Sequence, residues 1–331
     1  MLSVIVHPDP FQEWMVPSFS VLDAIYLSSV PKTICRCGAP RAPRVCLDCV
    51  RYRSWFALEV HVDDTAYEEF RAIVLGHYEH AARDLPWRRT SDPYEILISE
   101  VMLQQTQVPR VMPKYQSFLQ TFPDVQSLAA APLADVLAAW SGLGYNRRAK
   151  SLKATAEMIV SEHGGQVPDT LEGLVTLPGI GHATASQILA FAFGVAVPFI
   201  ETNIRSVYLH EFFGDADDVP DAAILPLVEA TLDRDDPRTW YYALMDYGTH
   251  LKATVANPSR RSAHHTRQSR FEGSNRQVRG ALLRELTERP GQDEAELAGA
   301  TDFNATRVAA ALLGLIAEGF VADDGGRFRI A

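Results

Sequence analysis

Ser99-Glu-Val-Met-Leu-Gln-Gln-Thr-Gln-Val108 places a single carboxylate, Glu100, among apolar neighbours at helical spacing. Upstream, Asp92-Pro93-Tyr94-Glu95 reads as a helix start, with Asp92 as N-cap, Pro93 at the first helical position and Glu95 closing a capping box. Ile96 and Leu97 lie one turn before Glu100 and Leu103 one turn after it, which puts the carboxylate on the buried stripe. A carboxyl group desolvated there has a raised pKa and keeps its proton near neutral pH, as a general acid must. A Glu paired with a buried Arg for structural reasons fits the same pattern.

Around this helix, the chain of 331 residues is 47% hydrophobic and 22% charged, the composition of a globular protein with two or three compact units. No apolar run approaches a membrane span, and Met1-Leu-Ser-Val-Ile-Val lacks the basic start of a secretory signal, so a cytoplasmic protein is expected, nucleoid-associated if bacterial. A formal charge of -10 argues against non-specific coating of nucleic acid but leaves room for a local basic face. Two basic clusters are present. One is Arg147-Arg148-Ala149-Lys150 with Lys153; the other holds Arg260, Arg261, His264, His265, Arg267, Arg270, Arg276 and Arg279, with Glu272 the only acid among them. Either fits a solvated surface as well as a phosphate contact.

From Thr65 to about Leu251 the pattern is helical, with Gly and Pro punctuation and no useful strand alternation. Helices are expected over Tyr67–His80, Val111–Thr121, Pro132–Trp140, Arg148–His163, Ala183–Phe193 and Trp240–Lys252. The last sixty or so residues differ: Gln277–Glu288, a short helix near Glu294–Ala298 and Ala305–Glu318 precede a hairpin over residues 319–330 with Asp324-Gly325 at its turn. That order reads as a winged helix-turn-helix, a module that binds DNA or docks proteins.

Leu177-Pro-Gly-Ile-Gly181 forms a tight turn between a helix over Leu171–Val175 and the helix that follows. Such a turn, with Gly179 and Gly181, presents backbone N–H groups at a helix start and suits a phosphate oxygen; a plain helix-helix turn uses the same residues. Ser141-Gly-Leu-Gly-Tyr145 is a weaker echo that opens the helix of Arg147 and Arg148. Together they favour a DNA backbone over a small anion.

All four cysteines cluster as Cys35-Arg-Cys37 and Cys46-Leu-Asp-Cys49. Without a secretion signal a disulfide pair is disfavoured, and the spacing suits a thiolate zinc site; a poorly ordered extension over residues 1–62 is the alternative.

Pro86-Trp-Arg88, Glu100-Val-Met-Leu-Gln-Gln-Thr-Gln-Val108, Gly142-Leu-Gly-Tyr145 and Leu177-Pro-Gly-Ile-Gly181 resemble, in order and spacing, the helix-hairpin-helix DNA glycosylases. Within them the chain is most similar to the adenine DNA glycosylases, which remove adenine mispaired with 8-oxoguanine. The resemblance covers about residues 65–255. It implies an all-α, two-lobed glycosylase domain over residues 63–255; neither the extension over residues 1–62 nor the winged helix at 274–331 belongs to the resemblance, and a basic loop at 256–273 precedes the latter. It implies Glu100 as the acid that protonates the leaving base and helps activate water. Glu201, in Ile200-Glu-Thr-Asn-Ile204, falls where the family has an Asp that stabilises the sugar cation, with Asn203 beside it. The longer Glu either supplies that anion or caps the helix at Ile204. Gln105 and Tyr145 match the wedge that fills the gap left by a flipped nucleotide; Trp87, Arg88 and Leu103 match the base pocket.

The departures concern chemistry and substrate. Bifunctional relatives carry a Lys two residues after the hairpin's second Gly; Ala183 stands here, so hydrolysis without strand cleavage is expected. Relatives hold an iron-sulfur cluster with four Cys, matched here by Lys252, Ser259, Ser262 and Gln268, so no such cluster is expected. The Arg-rich loop with Arg260 and Arg261 is expected to take over phosphate binding. A Gln near the base in the adenine enzymes is best matched by Tyr242, and a winged helix stands in place of their Nudix-like domain. The expectation is a monomeric, monofunctional glycosylase acting on double-stranded DNA with a mispaired or damaged base, foremost adenine opposite 8-oxoguanine or guanine. A glycosylase for another base, or a non-catalytic DNA-binding regulator derived from one, is the alternative.

Overall fold

The computed structural model describes residues 64–266 and 270–331, all within the larger of the chain's two units, Pro43–Ala331. Cys35, Cys37, Cys46 and Cys49, and with them the zinc reading, lie outside the described residues.

The helix of Glu100 spans Pro93–Leu103 (α2), after α1 (Asp64–Ala81) and a 3-10 turn at Pro86–Arg88. Asp92 caps it, its carboxylate accepting from the N–H groups of Tyr94 (2.8 Å) and Glu95 (3.1 Å). The expected capping box is only half formed: the Asp92 N–H is donated to the Thr90 hydroxyl (3.0 Å) rather than to Glu95. Every residue from Ile96 to Met102 is buried, so α2 is covered all round rather than along one stripe. It is the central helix of its lobe, packed against α3 (Val108–Thr121), α6 (Arg147–Glu162) and α8 (His182–Phe193).

That lobe is completed by α4 (Val125–Ala130), α5 (Leu133–Trp140) and α7 (Leu171–Val175). The other lobe returns to the N-terminal helix: α9 (Thr202–Phe212) and α1 both lie along α11 (Pro237–Thr254), with α10 (Asp221–Thr231) beside them. Phe70 of α1 packs on Tyr208, Phe212 and Trp240 at ring-centroid separations of 5.2, 5.0 and 5.9 Å. Arg71 closes the end of α10 by donating to the carbonyls of Thr231 (3.0 Å) and Leu232 (3.3 Å), orphan acceptors at a helix C-terminus. Two helices escape the sequence pattern. The six-residue α4 is set by a capping box between Asp124 and Ser127, and α10 carries Pro226 inside it while burying Ile224, Leu227 and Val228.

The C-terminal segment consists of α12 (Asn275–Glu288), α13 (Glu294–Thr301), α14 (Ala305–Ala317) and the antiparallel pair β1 (Val321–Asp323) and β2 (Phe328–Ile330), with Val321 opposite Ile330. Gly325 and Gly326, at φ 71° and 88°, make the turn. An isolated antiparallel bridge between Gln292 and Phe328 sets a third segment beside β2. Helix α12 packs on α13 and α14 and, on another side, on α5. Among the described residues no helix is long and apolar enough to cross a membrane.

Candidate active site and nucleic-acid interface

Glu100 is 5% exposed and makes no hydrogen bond or ion pair among the described residues. Burial pushes its carboxyl up to about 8, the charge of Glu201 pushes the same way, and the Arg88 guanidinium opposes both. The two carboxylates therefore sense one another across the gap between the lobes. Glu201 caps α9: its Oε1 accepts from the N–H groups of Asn203 (2.7 Å) and Ile204 (2.8 Å), and Oε2 from the Asn203 amide (3.2 Å). The capping reading of Glu201 thus holds, and the cap fixes this carboxylate within electrostatic reach of Glu100. Lys252 donates to Asn203 Oδ1 (2.8 Å), so the amide nitrogen of Asn203 must face Glu201. Helix α11 comes this close because residue 248 is Gly; a Cβ there would lie 2.4 Å from the Asn203 carbonyl oxygen. Burial holds the Lys252 ammonium below its usual range.

Arg88 does not pair with Glu100. It forks onto Asp246 of α11, Nη1 to Oδ2 at 2.8 Å and Nη2 to Oδ1 at 2.7 Å, and Asp246 also receives the backbone N–H (2.9 Å) and Nε (2.5 Å) of Arg83. Burial works to raise the Asp246 carboxyl, but the hydrogen bonds from Arg88 and Arg83 outweigh it and hold it below the usual range. Tyr242, one turn before Asp246, is stacked on Phe191 (4.5 Å, 13°) with the Arg88 guanidinium 4.5 Å from its ring. Its buried hydroxyl finds no partner of hydrogen-bonding geometry, and burial followed by the Glu100 charge raises its pKa. Trp87 is a core side chain, edge-on to Tyr115 at 5.5 Å; Leu103 is half-buried at the end of α2.

The hairpin requires its glycine. Gly179 has φ 81°, and a Cβ there would meet Ser151 Cβ at 2.8 Å; Gly181 is the N-cap of α8. Gln104 ties the end of α2 to this hairpin, donating to Thr184 Oγ1 (3.1 Å) and the Gly179 carbonyl (3.4 Å). Gln105 and Tyr145 both adopt left-handed backbone, at φ 54° and 49°, a strain that concentrates at functional turns. Arg148, expected at DNA, is turned inward: it donates to the carbonyls of Val101 (2.8 Å) and Met102 (2.9 Å) and to Thr106 Oγ1 (2.9 Å), tying the two strained turns together. Burial brings its guanidinium down to about 10. Arg147 is the outward member, with its side chain 75% exposed. The expected phosphate pair Arg260 and Arg261 also divides. Arg261 donates to the Leu209 carbonyl at the end of α9 (2.9 Å), whereas Arg260 is exposed. No group of three His, Cys, Asp or Glu that could hold a metal occurs among the described residues.

Residues 98–316 match the HhH-GPD superfamily of base excision DNA repair proteins. The chain belongs to this superfamily. The matched span contains Glu100, the hairpin and Glu201, and extends past residue 255 through most of the C-terminal helices. An adenine DNA glycosylase of Mycolicibacterium smegmatis is 40% identical over 228 residues, covering 63% of this chain and 78% of that protein. One from Mycobacterium tuberculosis is 42% identical over 158 residues, covering 47% of this chain and 50% of its own length. The human adenine DNA glycosylase is 37% identical over 205 residues, 58% of this chain and 36% of that protein. The chain thus spans about half or less of the last two. Among solved structures, a thermostable thymine-DNA glycosylase superposes with a TM-score of 0.52 at 25% identity, covering 58% of this chain and 90% of that one.

Asp246 and Lys252 are the site residues that sequence reading missed. Both sit on α11 at positions whose partners, Arg88 and Asn203, are more than forty residues away along the chain. A buried Arg does require an acid, and that requirement was the available signal for Asp246.

Proposed function

We propose that this protein is a monofunctional DNA glycosylase that hydrolyses the N-glycosidic bond of a flipped-out adenine, opposite 8-oxoguanine or guanine. The observation that carries the reading is the placement of the buried Glu100 carboxyl, pushed up to about 8, within electrostatic reach of the helix-capping Glu201 across the lobe boundary. An acid with a pKa near 8 delivers a proton to the departing base at neutral pH, when an ordinary Glu would have lost it. Glu201, locked by three hydrogen bonds, offers a fixed anion to the positive charge that develops on the sugar. Asn203 and Lys252 orient that anion. Tyr242, on Phe191 and under Arg88, supplies an aromatic wall, and Gln105 and Tyr145 project from the strained turns as the wedge that keeps the base out of the stack.

Ala183 offers no amine for a covalent intermediate, and Lys252 is already engaged with Asn203, which supports hydrolysis alone. Adenine is favoured because the mycobacterial and human relatives in sequence are adenine DNA glycosylases. In this reading residues 63–255 perform excision, Arg261 and the turn at Pro258–Arg261 brace α9, and residues 274–331 are an accessory module.

Base release from a panel of lesion duplexes tests the reading. Adenine opposite 8-oxoguanine is expected to be released fastest, with the rate falling as pH rises through about 8, and Glu100→Gln is expected to lower it about a hundredfold or more while DNA binding persists. Release of a different base first would reassign the substrate; DNA binding without release of any base would make the protein a regulator.

A further inference from the structure

A groove of about 1440 Å³ runs between the strained turns and the C-terminal helix α12. Gln104, Gln105 and Tyr145 line one wall; Arg276, Arg279 and Arg284 line the other. Arg147 and Arg110 complete a cationic surface on a chain whose net charge is -10. Phe271, 55% exposed, stands in the same groove.

The groove already holds one anion. Glu318 accepts from Arg147 through both oxygens, Nη2 to Oε1 at 2.8 Å and Nε to Oε2 at 2.9 Å, and from Arg279 Nη2 to Oε2 at 2.7 Å. The two guanidiniums hold its carboxyl down at about 2, the Arg147 hydrogen bond contributing most. Glu318 sits at the C-cap of α14, where the helix dipole repels an anion, so the arginines rather than the local backbone fix it there. A fork of two arginines around a planar oxyanion is also the geometry that receives a phosphodiester. Across the groove, Arg276 donates to the Tyr145 hydroxyl (2.6 Å), coupling the C-terminal module to the wedge. Arg284 and Arg110 have no hydrogen-bond or ion-pair partner among the described residues and are exposed.

Gln104 donates to the Gly179 carbonyl of the hairpin (3.4 Å) and also lines the groove, so the 104–105 turn stands between the two; with Gln105 and Tyr145 as the wedge of the glycosylase reading, a duplex opened there would set one backbone at the hairpin and the second in the groove. We propose that this groove binds the sugar-phosphate backbone of the strand opposite the flipped base, and that the Glu318 carboxylate occupies a phosphate position until the duplex arrives. The proposal rests on the glycosylase reading for the wedge and for which strand is called opposite.

Fluorescence anisotropy with the full chain tests it, using a lesion duplex with an uncleavable 2′-fluoro nucleotide and the same lesion strand alone. Glu318→Gln, which releases the arginines from their internal counter-ion, is expected to tighten duplex binding about three- to tenfold at low salt and to steepen its salt dependence by about one charge. Arg284→Ala is expected to weaken duplex binding about threefold or more and to reduce the salt slope by about one, with single-strand affinity changed less than about twofold in both variants. Unchanged or weaker duplex binding by Glu318→Gln in a chain that melts normally would overturn the proposal. So would equal shifts on single strand and duplex. Arg284, having no internal partner, keeps the test decisive if Glu318→Gln loosens the module. Base release is scored separately on a cleavable duplex, so a failed excision reading and a failed groove are distinguishable.

Discussion

Arg88–Asp246 and Arg147–Glu318 are the same chemical pair in two settings. In the first, the side chains are 7% and 1% exposed; in the second, 75% and 27%. The buried pair joins the two lobes beside Glu100, where an unpaired charge has no water to turn to, so it is a permanent part of the scaffold. The exposed pair competes with solvent and salt, so its partner is exchangeable. The protein places its fixed ion pair where chemistry needs a rigid wall and its exchangeable one where an anionic ligand must enter.

The sharpest way to break the contrast is to remove the acid from each pair. Asp246→Ala strands Arg88 without its counter-ion and is expected to destabilise the fold by about 3–5 kcal/mol, seen as a lowered denaturant midpoint together with lost base release. A cost below about 1 kcal/mol would show that the buried pair is not the scaffold described.

Glu100→Gln acts in the opposite direction. The folded carboxyl, at about 8, binds its proton more tightly than the unfolded one at 4.5, so wild-type stability falls as pH rises across that window. Gln lacks this penalty, and the variant is expected to exceed wild type by roughly 3–5 kcal/mol above pH 8 and to match it near pH 4. A constant difference across pH would contradict a buried, proton-holding Glu100. The smallest effect belongs to the exposed pair: Glu318→Gln should melt within about 3 °C of wild type at neutral pH, its consequence appearing in DNA affinity instead.

Much of this was legible along the chain. Local signals were strongest: Asp92 and Pro93 announced α2, the Gly positions announced the hairpin, and Asp324-Gly325 announced the β1–β2 turn. Helix α10 carries no such local signal: it has Pro226 inside it and no side-chain N-cap, and it packs against α1 and α9. Of the basic residues, sequence identified the cluster but not the orientation. Arg147 and Arg148 are neighbours, yet one faces solvent and the other serves carbonyls at the end of α2. The same division separates Arg260 from Arg261.

What the sequence by itself determined is the set of chemical groups and their local frames: a carboxylate inside an apolar helix, a second one at a helix cap, glycines where backbone must turn left-handed, and no thiolates near residues 252–268. These follow from interactions within a few residues, which spacing alone specifies. Only the tertiary structure decided that Glu201 lies within electrostatic reach of Glu100, that Asp246 claims Arg88, and that the C-terminal module faces the wedge across a groove. Those relations join residues a hundred or more positions apart, and the free energy that selects them comes from burial and packing that no local pattern encodes.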